Sequence, residues 1–345
     1  MPDLYKIAIV GASSLRGKEL NEALAESPFA NADFVLMDEE EQIGQLEAVG
    51  DEVALIQRIE PESFRRADFV FFAGSEEATR KHWHSAQKAG ASIVDMTGAM
   101  ENEPGVLLRA PWLQEAGEAE AEMPGLTTPA VVSANPAAVA LALLMQRVEQ
   151  LGKVRCAAAT VLEPASEYGR AGMDELHQQT VTLLNFQSLP RMVYDTQVAF
   201  NATPVFGEAA RTPLQASESR IRRHYSLLRA GKHPVMLQLV HAPVFHGYTL
   251  SLAIEMEQPV ELERMESTLQ GEHIDLILGD ADAPTNLSSA GQSDVLVRLR
   301  TAEDKPQATR QFWLWVALDN LKLASLNAVA CAVELQRLRP KGKVQ

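Results

Sequence analysis

The chain has 345 residues, of which 46% are hydrophobic and 22% charged, with a formal net charge of −15. That length suits two domains, or one domain with a large insertion, and the composition is that of an ordinary globular protein. The negative charge repels nucleic-acid phosphates and anionic lipid, so neither nucleic acid nor a membrane is an expected partner.

No secretory leader is expected, because the first apolar run, Ile7 to Val10, is short and leads straight into a glycine turn. The apolar stretch 130–145 is too short to span a bilayer and is interrupted by Asn135 and Pro136. Two widely separated cysteines, Cys156 and Cys331, indicate a reducing compartment, taken here as the cytoplasm. Both are expected to be buried structural thiols.

In chain order, Lys6–Val10 is a buried strand followed by the turn Gly11-Ala12-Ser13-Ser14-Leu15-Arg16-Gly17 and a helix to about Ser27. Residues 34–37 form the second strand, and Phe69–Phe72 the third, which ends at Ala73-Gly74-Ser75. Glu76–Lys88 is an amphipathic helix stopped by Gly90, Ser92–Asp95 the next strand, and 130–133 the last of the series. This rhythm predicts a Rossmann-type α/β fold, a doubly wound parallel sheet. The acidic stretch 115–122 reads as a solvated segment.

Beyond about residue 152 the apolar runs lengthen, with strands at 154–162, 236–241, 248–254 and 295–299 and helices at 173–184 and 217–229. This predicts a second α+β domain with a mixed sheet, closed by an apolar helix over 319–338. The boundaries drawn are 1–133 with 319–345 for the dinucleotide-binding-type domain, and 134–318 for an α+β substrate and dimerisation domain.

The first turn is similar to a dinucleotide fingerprint, with Gly11 and Gly17 in the outer positions but Ser14 in the middle one, where a side chain meets the approaching phosphate. A tight strand-to-helix turn with no ligand is the alternative. The second strand runs into Met37-Asp38-Glu39-Glu40-Glu41. Asp38 or Glu39 there can hold the ribose of NAD, or the run is simply exposed. NADP is disfavoured either way, since one unit of 2′-phosphate charge beside a carboxylate costs about 3–4 kcal/mol at an effective dielectric of 20.

Several segments carry a resemblance across nearly the whole length. The most specific is Leu314-Trp315-Val316-Ala317-Leu318-Asp319-Asn320-Leu321, running on to Leu326-Asn327-Ala328-Val329. Ala199-Phe200-Asn201-Ala202-Thr203-Pro204, Glu175-Leu176 with Gln179, Ala242-Pro243-Val244 with Gly247, and Asp294-Val295-Leu296-Val297-Arg298 support it. The chain resembles aspartate-semialdehyde dehydrogenase, the NADP-dependent family that forms an acyl-thioester on a cysteine and releases an acyl phosphate. The resemblance implies a homodimer, and the candidate cofactor-binding residues are Gly11, Ala12, Ser13, Ser14, Leu15, Asp38, Gly74 and Asn327, with the cofactor itself left open between NAD and none.

It also implies a catalytic set that this chain lacks. Ala138, in Asn135-Pro136-Ala137-Ala138, stands where the family has its nucleophilic cysteine, and Tyr248, after Gly247, where it has its histidine base. Glu163 matches the glutamine that orients the acyl intermediate. His241 and Glu101 match the arginines for substrate carboxylate and phosphate, and Glu40 matches the arginine for the NADP phosphate. Loss of a nucleophile alone lowers turnover by factors of about 10⁴ to 10⁶.

No Gly-x-Ser-x-Gly elbow is present, and the histidines give no metal spacing: His82 and His84 are two apart on a helix, and His241 and His246 fall on opposite faces of an extended segment. His241 with Tyr248 is the remaining pair that could line a pocket. Two readings follow. One is a catalytically degenerate homodimer that acts by binding, including binding to an active homologue. The other is a dehydrogenase that uses NAD on another substrate without a covalent intermediate.

Overall fold

The computed structural model describes residues 4–39, 42–49, 52–115, 122–229, 232–302 and 307–338. They form two compact units, Met1–Ala134 with Ala324–Gln345, and Asn135–Leu323.

The first unit is built on β1 (Lys6–Val10), β2 (Asp33–Asp38), the hairpin β3 (Leu46–Val49) and β4 (Glu52–Leu55), β5 (Gln57–Arg58), β6 (Phe69–Phe72), β7 (Ser92–Asp95), β8 (Leu107–Arg109) and β9 (Val131–Ser133). Its helices are α1 (Leu15–Ala25), α2 (Glu76–Lys88) and the single turn α3 (Trp112–Glu115). Seven of the strands make one sheet in the order β5-β2-β1-β6-β7-β9-β8. Every pairing in it is parallel.

Both faces of this sheet are covered, which is why its strands read as unbroken apolar runs. Ile7, Ile9, Phe69 and Phe71 pack with Leu20 and Leu24 of α1 and with Ala328 and Cys331. Ala8, Val10, Val70 and Phe72 pack on the other side with Trp83 and Ala86 of α2. Each fully buried phenylalanine contributes about 2–3 kcal/mol.

The second unit contains α4 (Pro136–Glu149), β10 (Val154–Glu163), α5 (Gly169–Leu184), α6 (Leu214–Leu228), β11 (Met236–His241), β12 (Tyr248–Glu261), α7 (Leu262–Leu269), β13 (Ile274–Leu276), β14 (Val295–Thr301) and β15 (Ala308–Leu318). The sheet order is β11-β10-β12-β15-β14-β13. It is mixed: β10–β11 and β13–β14 are parallel and the rest antiparallel. The last helix, α8 (Asn320–Gln336), is capped by Asp319, whose Oδ1 accepts the Leu321 and Lys322 amides at 3.0 Å each.

Three expectations are corrected. Cys156 is exposed, not buried, because β10 turns Ala157, Ala159 and Val161 inward and Cys156 to the other face. The strand expected over 248–254 continues to Glu261 through a register shift between Glu255 and Val260. His241 and His246 do not share an extended segment: His241 ends β11, and His246 sits in a loop that turns at Gly247 with φ +84°. Only Cys331 is buried, and burial raises its thiol pKa.

Candidate functional site

Strand order reverses at β1, between β2 and β6, so the turn after β1 occupies the switch point where doubly wound sheets hold ligands. Gly11, Ala12, Ser13, Ser14 and Leu15 are gathered there beside Gly74. The glycines are needed by the backbone itself: Gly11 has φ +84°, and a Cβ on it would stand 2.2 Å from the Gly74 Cα. Ser14 caps α1, accepting the Gly17 amide at 2.9 Å and donating its hydroxyl to the Ala73 carbonyl at 2.9 Å. Its side chain therefore has a structural task at the position where a fingerprint glycine would stand.

Asp38 turns back onto the same turn. Its Oδ2 accepts the Ser13 amide at 2.8 Å and the Ser13 hydroxyl at 2.6 Å, and Oδ1 accepts the Glu39 amide at 2.8 Å. The Ser14 amide is taken by the Gly11 carbonyl at 3.1 Å. Three amides of the turn, at Ser13, Ser14 and Gly17, are thus occupied internally, leaving fewer donors for a pyrophosphate than an open nest presents. Arg58 stands opposite Asp38 in the β2–β5 register, a cation at this end that sequence reading missed. Glu40 lies outside the described residues.

The other first-unit positions go elsewhere. Asn327 is buried and its amide donates to the Arg109 carbonyl at 3.1 Å and Ser133 Oγ at 2.8 Å. Glu101 follows the loop after β7, where buried Asp95 accepts the Thr97 amide and hydroxyl and the Met100 amide at 2.6–2.9 Å. Burial raises the Asp95 pKa.

In the second unit, the register of β10 with β11 sets Glu163 beside His241, and β12 brings Tyr248 to the same end. Ala138 lies in the first turn of α4 and is fully buried, as are Glu163, His241 and Tyr248 to within 1%. Asn135 caps α4, with Oδ1 accepting the Ala137 and Ala138 amides at 2.9 and 3.4 Å. Its own amide donates to His224 Nδ1 at 2.9 Å, and its side chain also bonds the Tyr248 hydroxyl.

Tyr248 donates to Glu163 Oε1 at 3.4 Å, and Tyr168 donates to Glu163 Oε2 at 2.7 Å. Ser217 lies 3.4 Å from the Tyr168 hydroxyl. The chain Asn135–Tyr248–Glu163–Tyr168–Ser217 thus joins α4, β12, β10 and α6. Burial first, then the charges of Glu167 and Glu163, push the Tyr248 pKa well above 10. A phenol held this way is not a base at neutral pH.

His241 makes no hydrogen bond to this chain and packs in a ring cluster with Tyr194 at 4.8 Å, Phe206 at 5.2 Å and Tyr168, itself a member of the chain, at 5.9 Å. Neither of its ring nitrogens has a hydrogen-bond partner among the described residues, and burial lowers its pKa to about 4. Its imidazole is therefore neutral at pH 7. Tyr168, Tyr194, Phe206 and Asn135 were missed from sequence as members of this cluster, since loops and a helix cap bring them in without periodic signal.

A serine, a histidine and an aspartate also meet: His246 Nε2 is 2.8 Å from Asp319 Oδ1, and its Nδ1 is 3.3 Å from Ser166 Oγ. Ser166 is only 2% exposed, and its hydroxyl lies against the Asn320 amide group at 3.1–3.2 Å. The group fixes a loop to the start of α8 and offers no accessible nucleophile. Among the described residues no cluster of three or more His, Cys, Asp or Glu could hold a metal ion, and no helix is long and apolar enough to cross a membrane.

Comparison with known proteins matches two family models: "Semialdehyde dehydrogenase, NAD binding domain" over residues 6–140 and "Semialdehyde dehydrogenase, dimerisation domain" over 145–323. Among curated relatives, the USG-1 protein homolog of Pseudomonas aeruginosa is 31% identical, covering 95% of this chain and 97% of that protein. The aspartate-semialdehyde dehydrogenase of Rickettsia bellii is 27% identical, covering 97% and 98%. A solved structure of aspartate semialdehyde dehydrogenase II from Vibrio cholerae shares the fold, with a TM-score of 0.81 at 24% identity over 97% of this chain and 99% of that one. That of a probable aspartate-semialdehyde dehydrogenase from Pseudomonas aeruginosa gives 0.78 at 26% identity, covering 98% and 99%. With both of its units matched, the chain belongs to the semialdehyde dehydrogenase family.

Proposed function

We propose that this chain is a catalytically silent member of its family, which acts by binding rather than by turnover. The observation that carries this is the buried chain Asn135–Tyr248–Glu163–Tyr168 around Ala138. The position matching the nucleophile has no thiol, and the position matching the base is a phenol whose proton is given to Glu163 and whose oxygen is bonded by the Asn135 side chain. His241 supplies no positive charge to a substrate carboxylate. An aldehyde of the family's type then has neither a covalent route nor an anion clamp. Cys156 does not substitute for the missing thiol, since it lies on the outward face of β10.

A retained nucleotide site is the second reading, favoured by the turn at the switch point with Asp38 at the end of β2. Asp38 supports NAD over NADP, while Arg58 on the neighbouring strand acts in the opposite direction. The two free cysteines are in keeping with a reducing compartment such as the cytoplasm.

The test is direct. The purified protein is assayed with aspartate semialdehyde, inorganic phosphate and either NAD or NADP, and separately titrated with each dinucleotide by calorimetry. No phosphate-dependent reduction of either dinucleotide is expected. Turnover within about a hundredfold of a typical dehydrogenase would overturn the reading.

A further inference from the structure

The group of His246, Asp319, Ser166 and Asn320, which offers no nucleophile, is a junction of chain segments, all of them in the second unit. The loop 242–247 before β12 supplies His246, and the turn Ala165–Tyr168 after β10 supplies Ser166. The end of β15 and the start of α8 supply Asp319 and Asn320. The loop 284–291 joins them: Gly291 donates its amide to Asp319 Oδ2 at 2.8 Å, and Asn286 its side-chain amide to the His246 carbonyl at 3.2 Å. Asn320 Oδ1 accepts the Gly247 amide at 3.1 Å. Two of these segments run straight into the candidate site. Gly247 precedes Tyr248, and the turn carrying Ser166 ends at Tyr168, and these two tyrosines are donors to Glu163.

One member of the junction titrates near neutrality and reaches solvent: the His246 side chain is 26% exposed, against 6% for Asp319. Its proton decides how many bonds can form at once. In the imidazolium, Nε2 donates to Asp319 Oδ1 over 2.8 Å and Nδ1 donates to Ser166 Oγ over 3.3 Å. The serine proton is then left for Asn320 Oδ1 at 3.2 Å. In the neutral ring that keeps its bond to Asp319, Nδ1 becomes an acceptor. Ser166 turns its single proton to that nitrogen, and the bond to Asn320 Oδ1 is lost. The bond to Asp319 weakens as well, because only one of its partners still carries charge.

The surrounding charges favour the protonated ring. Burial raises the Asp319 carboxyl, but His246 and the Lys322 and Gly291 amides outweigh burial and hold it below the usual carboxylate range. Glu167, on the turn, accepts from Asn320 Nδ2 at 2.7 Å, and Lys322 lies in the first turn of α8. The loops 242–247 and 284–291 bring no charged residue apart from His246 itself. Two carboxylates against one lysine stabilise an imidazolium between them.

We propose that this junction is a pH-operated clip, closed while His246 carries its proton and loosened when the proton leaves, so that alkaline conditions slacken the segments presenting Tyr168 and Tyr248 to Glu163. The clip goes beyond the silent role and stands whether or not the site turns over.

The experiment is backbone hydrogen exchange of the full chain across a pH series, corrected for the intrinsic pH dependence of exchange and read by mass spectrometry. Between about pH 6 and about pH 9, protection of the segments 243–248, 286–292 and 319–323 should fall roughly tenfold. The segment 163–168 should follow, and α7, which does not join the junction, should stay level. Exchange of the His246 ring C–H hydrogen, read on its own peptide in the wild type, gives the titration midpoint of that ring. It should lie above the ordinary value of about 6.5 and coincide with the midpoint of the loosening. His246→Gln, which cannot titrate, should hold one level of protection throughout. A flat wild-type profile overturns the clip, as do ring and backbone midpoints more than about one pH unit apart. The same fall in His246→Gln overturns it too, and the two wild-type measurements decide the matter if that variant fails to fold.

Discussion

His241 gives the sharpest quantitative expectation. Its folded pKa is about 4 against an ordinary 6.5, with burial as the cause. The folded protein therefore keeps the ring neutral while the unfolded chain takes up a proton below 6.5. The stability associated with this residue is fully present above pH 6.5, is lost as pH falls towards 4, and is flat below that. A lowering from 6.5 to about 4 corresponds to about 3 kcal/mol. The ring is fully buried, so no solvent screening reduces this.

The perturbation is His241→Leu, similar in volume and unable to titrate. At neutral pH the variant should be as stable as the wild type or more so, because two buried nitrogens without partners disappear, each worth about 1–3 kcal/mol. Urea unfolding of both proteins across this range gives a difference curve in which titrations common to both cancel, including that of Asp319, whose carboxyl is held low by His246 and the Lys322 and Gly291 amides against the effect of burial. The variant should gain about 3 kcal/mol relative to the wild type between neutral pH and pH 4. Parallel curves would refute the assignment of a neutral, unpartnered ring. A loss of more than about 2 kcal/mol in the variant at neutral pH would show that the ring makes a bond in solution.

Three further outcomes are expected. Ala138→Cys alone should give no phosphate-dependent reduction of NAD or NADP in a spectrophotometric assay, because Tyr248, Glu163 and His241 are unchanged. Gly11→Ala should destabilise the first unit by about 3 kcal/mol or more in thermal unfolding, given φ +84° and a Cβ 2.2 Å from the Gly74 Cα. Glu334→Gln should cost about 3–5 kcal/mol by urea unfolding, since Arg109, 2% exposed and bound to that carboxylate at 2.5 and 2.8 Å, would keep a buried charge without its counter-ion.

Legibility from sequence followed burial. β1, β6, α2 and β7 were readable to the residue, because each is bounded by glycine or polar turns and packed on a definite face. The hairpin β3–β4 was not: Leu46, Val53 and Leu55 are 52–69% exposed, so their apolar character signals no core. Cys156 was misassigned because Cys156-Ala157-Ala158-Ala159 has no polar alternation to say which face is inside. The four second-unit positions matched to the family's chemistry rest on the resemblance alone, and their hydrogen-bond and ring partners were not legible in it. Tyr194 arrives from an irregular segment held by Glu175 and Gln179, which accept the Met192, Val193 and Val198 amides, while Tyr168 ends the short turn Ala165–Tyr168 and Phe206 comes from a separate irregular stretch.

The shared hydrogen bonds around Glu163 also bear on evolutionary reversibility. Tyr248→His removes one donor from Glu163 and one contact from Asn135, while Ala138 stays without a thiol. Restoring the thiol first places a polar sulfur among groups already saturated by one another. Because the partners are in contact, the effects of such steps should not add, and on the proposed silent reading each single change would cost hydrogen bonds before any chemistry is gained. On the proposed silent reading, the network would work as a ratchet: selection for stability alone would hold such a chain away from the family's reaction, even where the fold persists.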